Sequence, residues 1–267
     1  MKRDIYQVLC EWKNDKNRRP LLVRGARQVG KTYIINEFGQ QEFNSIILLN
    51  FEKNPEYKEI FNSLDPHDII EKIALFTGVR IESGKTLLFL DEVQECASAI
   101  IALRYFYEEM QSLHVIAAGS LLEFILESEN FHMPVGRVQY VYLFPLSFGE
   151  FLDAQGEAEL RKYIIDSNRL KLLPLSLHTK LNEYIRKYFI LGGMPAVVHE
   201  YCTTRDVISC QRIQRSLLDT YCDDFGKYAR IALMRCSIIL MGYLTWSKLN
   251  SNRSLFLFSW KHNLHIV

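Results

Sequence analysis

A glycine-rich run between Gly25 and Thr32 constrains this chain most, because it directly follows the largely apolar stretch Pro20–Arg24. The run reads Gly-Ala-Arg-Gln-Val-Gly-Lys-Thr and matches G-x-x-x-x-G-K-[ST] without a gap. In that pattern the glycines let backbone N–H groups curl around a phosphate, the lysine reaches the β- and γ-phosphates, and the threonine ligates Mg²⁺. Glycines near a lysine also occur in ordinary turns, but here a strand precedes the run and a helical stretch, Thr32–Phe38, follows it. We therefore expect a strand, loop and helix that bind a nucleoside triphosphate.

The residues expected to contact the nucleotide are those of the loop and the position after it. Lys31 is also expected to act in catalysis, and Thr32 to ligate Mg²⁺. Side chains at the variable positions of such loops usually point to solvent, so Arg27 and Gln28 have a lesser expected role. The full expected set is Gly25, Ala26, Arg27, Gln28, Val29, Gly30, Lys31, Thr32 and Tyr33.

Two adjacent carboxylates, Asp91 and Glu92, follow the apolar run Leu87–Leu90 and form the expected second half of the site. A carboxylate at such a strand end lies beside the phosphate loop and holds Mg²⁺, directly or through water, which suits Asp91. The neighbouring Glu92 is placed to polarise an attacking water. A solvated strand end is the alternative, and the matched phosphate loop argues against it.

Two further residues are candidates for contacts with the γ-phosphate. Ser120 follows a predicted strand and is expected either to sense that phosphate or to cap a helix, with Glu123 three residues later. Arg137 is the candidate cation that stabilises charge there, from its own chain or from a neighbour, and a structural role at the surface is the alternative. The absence of an N-K-x-D sequence favours ATP over GTP.

Apolar runs alternate with amphipathic stretches up to about residue 150, and helical patterns follow. This order predicts an α/β fold, with a parallel sheet sandwiched between helices and a smaller helical domain after it. We expect a phosphate-loop domain over 1–150, a helical domain over 151–229 and an atypical tail over 230–267. The predicted strands are Leu21–Val23, Ile46–Asn50, Thr86–Leu90, Val115–Ala118 and Val138–Leu143, and the predicted later helices are Asp68–Phe76, Ser98–Met110, Glu157–Ile165, Leu177–Ile190 and Arg205–Tyr221.

Composition and charge bear on the expected partners, on metal binding and on cellular location. A formal net charge of +1 over 267 residues creates no global field that would attract nucleic acid or an anionic membrane. Six cysteines without a C-x-x-C pair favour free thiols in a reducing cytosol over a metal site. The first residues lack the apolar core of a signal peptide, so we expect a cytoplasmic protein with no membrane segment.

Seven segments form an ordered series of motifs: Arg24–Thr32, Leu90–Cys96, Ala117–Leu122, Pro134–Val138, Phe144–Phe151, Leu191–Pro195 and Asp223–Ala229. This series resembles the prokaryotic AAA-type ATPases that carry a C-terminal region called DUF4143. The resemblance implies an additional-strand phosphate-loop fold of the AAA+ (ASCE) kind, with ATP and Mg²⁺ at Lys31, Thr32, Asp91 and Glu92 and with Ser120 in the sensor position.

The residues from Phe225 to the end depart from that family. They contain no Asp or Glu, although acidic residues occur throughout the earlier chain, and they hold two of the three tryptophans, Trp246 and Trp260. The apolar stretch Cys236–Trp246 is shorter than the roughly twenty residues that span a bilayer. We expect a member of the family that is truncated or frame-shifted after about residue 229.

Three functions are consistent with these features. The leading expectation is an Mg²⁺-dependent ATPase in which hydrolysis resets a conformation of the helical domain. The first alternative is a nucleotide-dependent module that binds DNA or a protein with little turnover, and assembly into a homo-oligomer is open in both cases. A small-molecule kinase is the third, but no arginine-rich lid is evident in the sequence.

Overall fold

The structure, a computed structural model, describes residues 1–120, 136–166 and 174–227. The chain divides into two compact units, Met1–Arg215 and Ser216–Val267. The described residues of the second unit are helical up to Lys227. The predicted tail over 230–267 lies outside the described residues. The first unit contains the sheet and every candidate site residue.

The described strands form one five-stranded parallel sheet with the order β2-β3-β4-β1-β5. All five predicted strands are confirmed, with bounds that differ by one or two residues. Because the central strands are buried on both faces, they read in the sequence as continuous apolar runs. The strands are β1 (Leu21–Arg24), β2 (Ser45–Asn50), β3 (Thr86–Asp91), β4 (His114–Gly119) and β5 (Gln139–Tyr142).

Helices cover both faces of the sheet and continue beyond it. The predicted helices over the described residues are confirmed, whereas α1, α5 and α8 have no counterpart among the sequence predictions. No helix of the described segments is both long enough and apolar enough to cross a membrane. The helices are α1 (Ile5–Asn14), α2 (Lys31–Glu42), α3 (Pro66–Thr77), α4 (Ala97–Glu109), α5 (Phe148–Ala154), α6 (Ala158–Asp166), α7 (Leu175–Leu191), α8 (Pro195–Thr204) and α9 (Val207–Lys227).

Two hydrophobic clusters, one on each face, hold the sheet between its helices. Successive side chains of β3 alternate between them, since neighbouring residues of a strand point to opposite faces. Leu87 and Phe89 join the cluster that includes α1 and α2, while Leu88 and Leu90 join the cluster that includes α3 and α4. The predicted sandwich is therefore confirmed.

Two hydrogen bonds join the helical region beyond β5 to Leu146, which lies in the segment after that strand. The Leu146 N–H donates to the Gly193 carbonyl at 2.7 Å, and the Tyr188 hydroxyl donates to the Leu146 carbonyl at 2.7 Å. A Cβ at Gly193 would lie 2.2 Å from the Leu146 carbonyl oxygen, so only glycine permits this approach. A separate helical domain that begins at residue 151 stays a prediction.

His114, the first residue of β4, is enclosed by aromatic rings at the amino edge of the sheet. Its ring centroid lies 5.7 Å from that of Trp12 and 4.9 Å from that of Phe43. Its Nδ1 is buried and has no hydrogen-bond partner among the described residues. Burial, and then the charge of Arg18, lower the pKa of His114 to about 4. The imidazole is therefore neutral at pH 7.

This histidine is expected to make the fold less stable in mild acid. Its folded pKa lies below the unfolded value of about 6.5, so its stabilising contribution is complete above pH 6.5 and is lost as the pH falls towards 4. Between pH 7 and pH 5, the free energy of unfolding should fall by about 2 kcal/mol more in the wild type than in His114→Gln. Urea unfolding at both pH values measures this difference. The matched control is His67→Gln, at an exposed position, and a wild type and His114→Gln with the same pH dependence would contradict the prediction.

Candidate functional site

The glycine-rich run forms the loop between β1 and α2, at the carboxyl edge of the sheet. Gly25 has a φ of +151°, and a Cβ there would lie 2.2 Å from the Leu143 carbonyl oxygen. Gly30 has a φ of +94° and precedes the first residue of α2. Gln28 also lies in the left-handed region, with a φ of +63°. A loop of this kind, ending at a helix N-terminus, turns backbone N–H groups towards an anion.

Lys31 folds back over this loop. Its side chain is buried, and Nζ donates to the carbonyl oxygens of Gly25 at 2.8 Å and Ala26 at 2.9 Å. Those neutral acceptors hold the ammonium within the span of the loop. Phosphate oxygens would be stronger partners, because their negative charge adds a direct attraction to the ammonium.

The other predicted loop residues differ in exposure. The Val29 side chain is fully buried in the cluster with α1 and α2, so a nucleotide could be contacted only by the backbone of this residue. Ala26 and Gln28 are exposed, and Arg27 is half-buried. Tyr33, one residue beyond the motif, is 61% exposed in the first turn of α2. Nucleotide contacts by these residues stay predictions.

Asp91, the last residue of β3, meets Thr32 at the same edge of the sheet. Thr32 Oγ1 donates to Asp91 Oδ2 at 3.0 Å, and Asn50 Nδ2 donates to the same oxygen at 3.1 Å. The other oxygen, Asp91 Oδ1, is buried without a hydrogen-bond partner among the described residues. Burial is the largest effect on this carboxyl and raises its pKa, while the hydrogen bond from Thr32 opposes the rise.

Glu92 follows Asp91 in an uncommon backbone conformation. Its φ of +50° and ψ of +46° are left-handed, a region that residues with a Cβ adopt rarely and often at functional sites. The Gln94 side-chain amide donates to the Glu92 carboxylate, which is half-buried. The carboxylate beside Asp91 therefore has a fixed orientation.

Ser120 comes directly after β4, whose last residue pairs with Arg24 at the start of the loop. Its side chain is 1% exposed, and its Oγ has no hydrogen-bond partner among the residues that the structure describes. A buried hydroxyl at this place is consistent with the expected sensor. The alternative of a helix cap involves Leu121–Glu123, which lie outside the described residues.

The structure places Arg137 away from the loop. It stands two residues before Gln139, which pairs with Leu21 at the amino end of β1, whereas the loop follows the carboxyl end of β1. Its guanidinium donates to Glu108 at 2.9 Å, and the two side chains are 47% and 31% exposed. Arg137 and the loop thus lie at opposite edges of the sheet, so Arg137 does not reach the loop of its own chain. A contact with a neighbouring copy stays a prediction.

Two residues of this region were not identified from the sequence. Asn50 is the last residue of β2, and it pairs with Asp91, the last residue of β3. Its position at the end of an apolar run could have identified it from the sequence. Arg3 donates to the Val29 carbonyl within the loop at 3.0 Å, across a separation of 26 residues. No local pattern in the sequence indicates that contact.

Residues 17–152, about half of the chain, match the family model AAA_14, described as an AAA domain. No curated protein matches the chain at a significant level. Three solved structures that are similar to it have low sequence identity. They are the Walker-type ATPase PABY2304 of Pyrococcus abyssi (17% identity, 95% of this chain and 77% of that chain, TM-score 0.45), PCH-2 of C. elegans (10%, 81% and 66%, 0.41) and a chain of Drosophila ORC bound to DNA (17%, 87% and 66%, 0.40).

Identities this low leave function open, so the assignment rests on the family model and on the site described above. The matched residues include the whole loop, Asp91, Glu92 and every strand of the sheet. This chain belongs to the AAA domain family.

Proposed function

We propose that this protein binds ATP and hydrolyses it with Mg²⁺, and that the hydrolysis switches the conformation of its helical region. The observation that carries the proposal is the contact of Thr32 with Asp91 at 3.0 Å, one residue from the lysine of the phosphate loop. Membership of the AAA domain family supports it. A hydroxyl and a carboxylate side by side at this place are the ligands that phosphate-loop ATPases use for Mg²⁺.

The residues present fit a magnesium ion. Asp91 Oδ1 is a buried oxygen without a partner among the described residues, and Mg²⁺ prefers oxygen ligands of this kind. Thr32 Oγ1 and Asp91 would hold the ion, and Asn50 would keep the carboxylate oriented through its hydrogen bond. When bound, Mg²⁺ neutralises part of the negative charge on the β- and γ-phosphates.

Three side chains have the remaining roles in the proposed reaction: one in the loop, one after β3 and one after β4. Lys31 exchanges the carbonyl oxygens of Gly25 and Ala26 for phosphate oxygens and stabilises their charge. Glu92 orients the attacking water and accepts its proton, which is the work of a general base. Ser120 contacts the γ-phosphate from the end of β4.

Replacing Asp91 with asparagine should uncouple nucleotide binding from magnesium. The amide keeps the shape of the carboxylate but loses its charge, so Mg²⁺ should no longer improve ATP affinity, and the gain seen in the wild type should fall by about 10-fold or more. Titration calorimetry with ATP, in Mg²⁺ and in EDTA, measures the gain.

The matched control for that experiment is Asp68→Asn, which makes the same chemical change at a half-exposed carboxylate in an ion pair with Lys72 on α3. It should behave like the wild type. An undiminished magnesium effect in Asp91→Asn would show that Asp91 does not hold the ion.

One observation favours the second candidate, a nucleotide-dependent binding module with little turnover. Glu92 already accepts a hydrogen bond from Gln94, so one of its carboxylate oxygens is occupied by a side chain and not by an attacking water. Steady-state phosphate release, with and without DNA, separates the two functions. Sustained release supports the ATPase, whereas ATP binding without release supports the module.

A further inference from the structure

Arg3 reaches the phosphate loop from the amino terminus of the chain. Its side chain is buried, although it carries a charge and lies only two residues from Met1. Nη1 donates to the Val29 carbonyl at 3.0 Å, and Nη2 donates to the Phe144 carbonyl at 2.6 Å. The guanidinium therefore joins the loop to the segment that follows β5.

The contact with Val29 has a consequence for the next peptide group. In a trans peptide, the carbonyl of one residue and the N–H of the following residue point in opposite directions. Because Arg3 holds the Val29 carbonyl on its own side, the Gly30 N–H is turned to the other side. The Gly30 N–H is one of the loop groups expected to donate a hydrogen bond to a phosphate oxygen.

The contact with Phe144 supports the other end of the loop. Leu143, the residue before Phe144, donates its N–H to the Arg24 carbonyl at 2.8 Å. Its own carbonyl occupies the place that a Cβ of Gly25 would need. Arg3 thus fixes the backbone at Phe144, next to the carbonyl that packs against Gly25 at the start of the loop. It also fixes the peptide between Val29 and Gly30 near the end of the loop.

Glu150 holds Arg3 in place. The two side chains form a buried ion pair, with Nε 3.0 Å from Oε1, and the exposed fractions of the side chains are 7% and 6%. Glu150 also accepts the N–H of Asp4 at 2.7 Å and that of Ser147 at 2.8 Å, the latter as part of the capping box that starts α5. A buried pair whose remaining polar atoms are satisfied in this way is costly to break on one side.

We infer that Arg3 is a positioning residue for the phosphate loop, and that its ion pair with Glu150 couples the loop to the start of α5. The inference rests on the proposed function, because the loop that Arg3 orients is the one proposed to bind ATP. Arg3 points its donors at backbone carbonyls of the loop and of the segment after β5, so it acts through the shape of the loop.

The test compares Arg3→Met, Arg3→Lys and Glu150→Gln with the wild type in two measurements. Titration calorimetry with Mg-ADP reports nucleotide affinity, and hydrogen exchange of the nucleotide-free protein reports the order of residues 25–32. Arg3→Met should weaken Mg-ADP binding by about 10-fold and speed amide exchange across the loop. Arg3→Lys should keep only part of the wild-type Mg-ADP affinity and part of the protection of the loop from exchange. An ammonium cannot serve three acceptors in the fork geometry of a guanidinium.

Two further results distinguish positioning from a general loss of stability. The double variant Arg3→Met, Glu150→Gln should bind Mg-ADP no more weakly than Arg3→Met, because the two residues act as one unit. In steady-state hydrolysis, Arg3→Lys should raise KM while kcat stays near that of the wild type. Arg80→Met, at an exposed arginine, is the matched control and should change neither measurement.

The failures of the two proposals can be told apart. If the wild type binds Mg-ADP and the folded Arg3 variants bind it equally well, the inference is wrong while the proposed function stands. If the wild type binds no nucleotide, the proposed function is wrong, and loop exchange still decides the inference. Should Arg3→Met not fold, Arg3→Lys and Glu150→Gln give the same two measurements, and unchanged exchange in both overturns the inference.

Discussion

Replacing Lys31 with alanine is expected to abolish nucleotide binding. Lys31 Nζ is already within the span of the loop, held by two carbonyl oxygens that phosphate oxygens would replace. Each hydrogen bond to a charged partner contributes about 1.5–3 kcal/mol, so the loss of two should weaken binding by at least about 100-fold. Titration of the variant with Mg-ATP measures the effect.

A control at another lysine makes the Lys31 result specific. Lys58 is half-exposed and pairs with Glu95, so Lys58→Ala removes the same charge away from the loop. It should bind Mg-ATP as the wild type does. A Lys31→Ala protein that is folded and binds Mg-ATP with wild-type affinity would refute the assignment of the loop.

Replacing Glu92 with glutamine is expected to preserve binding and to slow turnover by about 10²–10⁴-fold, the usual contribution of a general base. The glutamine has the same shape, and its carbonyl oxygen can still accept the hydrogen bond from Gln94. It cannot accept a proton from water. Phosphate release at saturating Mg-ATP gives the rate, and calorimetry shows that the nucleotide is bound.

Glu95→Gln is the matched control for Glu92→Gln. Glu95 lies three residues later in the same short helical turn, and its side chain is about half exposed. Glu95→Gln should leave both affinity and rate unchanged. Unaltered hydrolysis in Glu92→Gln would assign the base to another group, and unaltered hydrolysis in Lys31→Ala as well would exclude the whole site.

The parts of this fold that the sequence predicts well are those set by neighbouring residues. A central parallel strand must be apolar on both faces, so Leu87–Leu90 is recognisable from composition alone. The loop has a fixed spacing because its glycines need φ values that other residues disfavour. The proximity of Asp91 and Thr32 could be predicted from the sequence. Asp91 ends one strand, Thr32 follows the loop after another, and the carboxyl ends of parallel strands share one edge of the sheet.

The parts that were missed depend on contacts between distant residues. Arg3 and Glu150 are 147 positions apart, and neither stands in a pattern that indicates a buried pair. The helix α5 did have a local signal, the capping box of Ser147 and Glu150, which the sequence analysis did not use. The position of Arg137 also follows from a simple rule, since a residue that precedes a parallel strand lies at the amino edge of the sheet.

The close approach of Gly193 to Leu146 bears on how separable the pieces of this protein are. The Leu146 N–H and C=O groups both find partners in α7 or in the turn after it, so a chain cut near residue 150 would expose those groups and release the Glu150 end of α5. These contacts tie the segment after β5 to the helices that follow it. We therefore expect that a recombination which joins the sheet of one relative to the helices of another works only if residues 144–150 and the glycine at 193 come from the same parent.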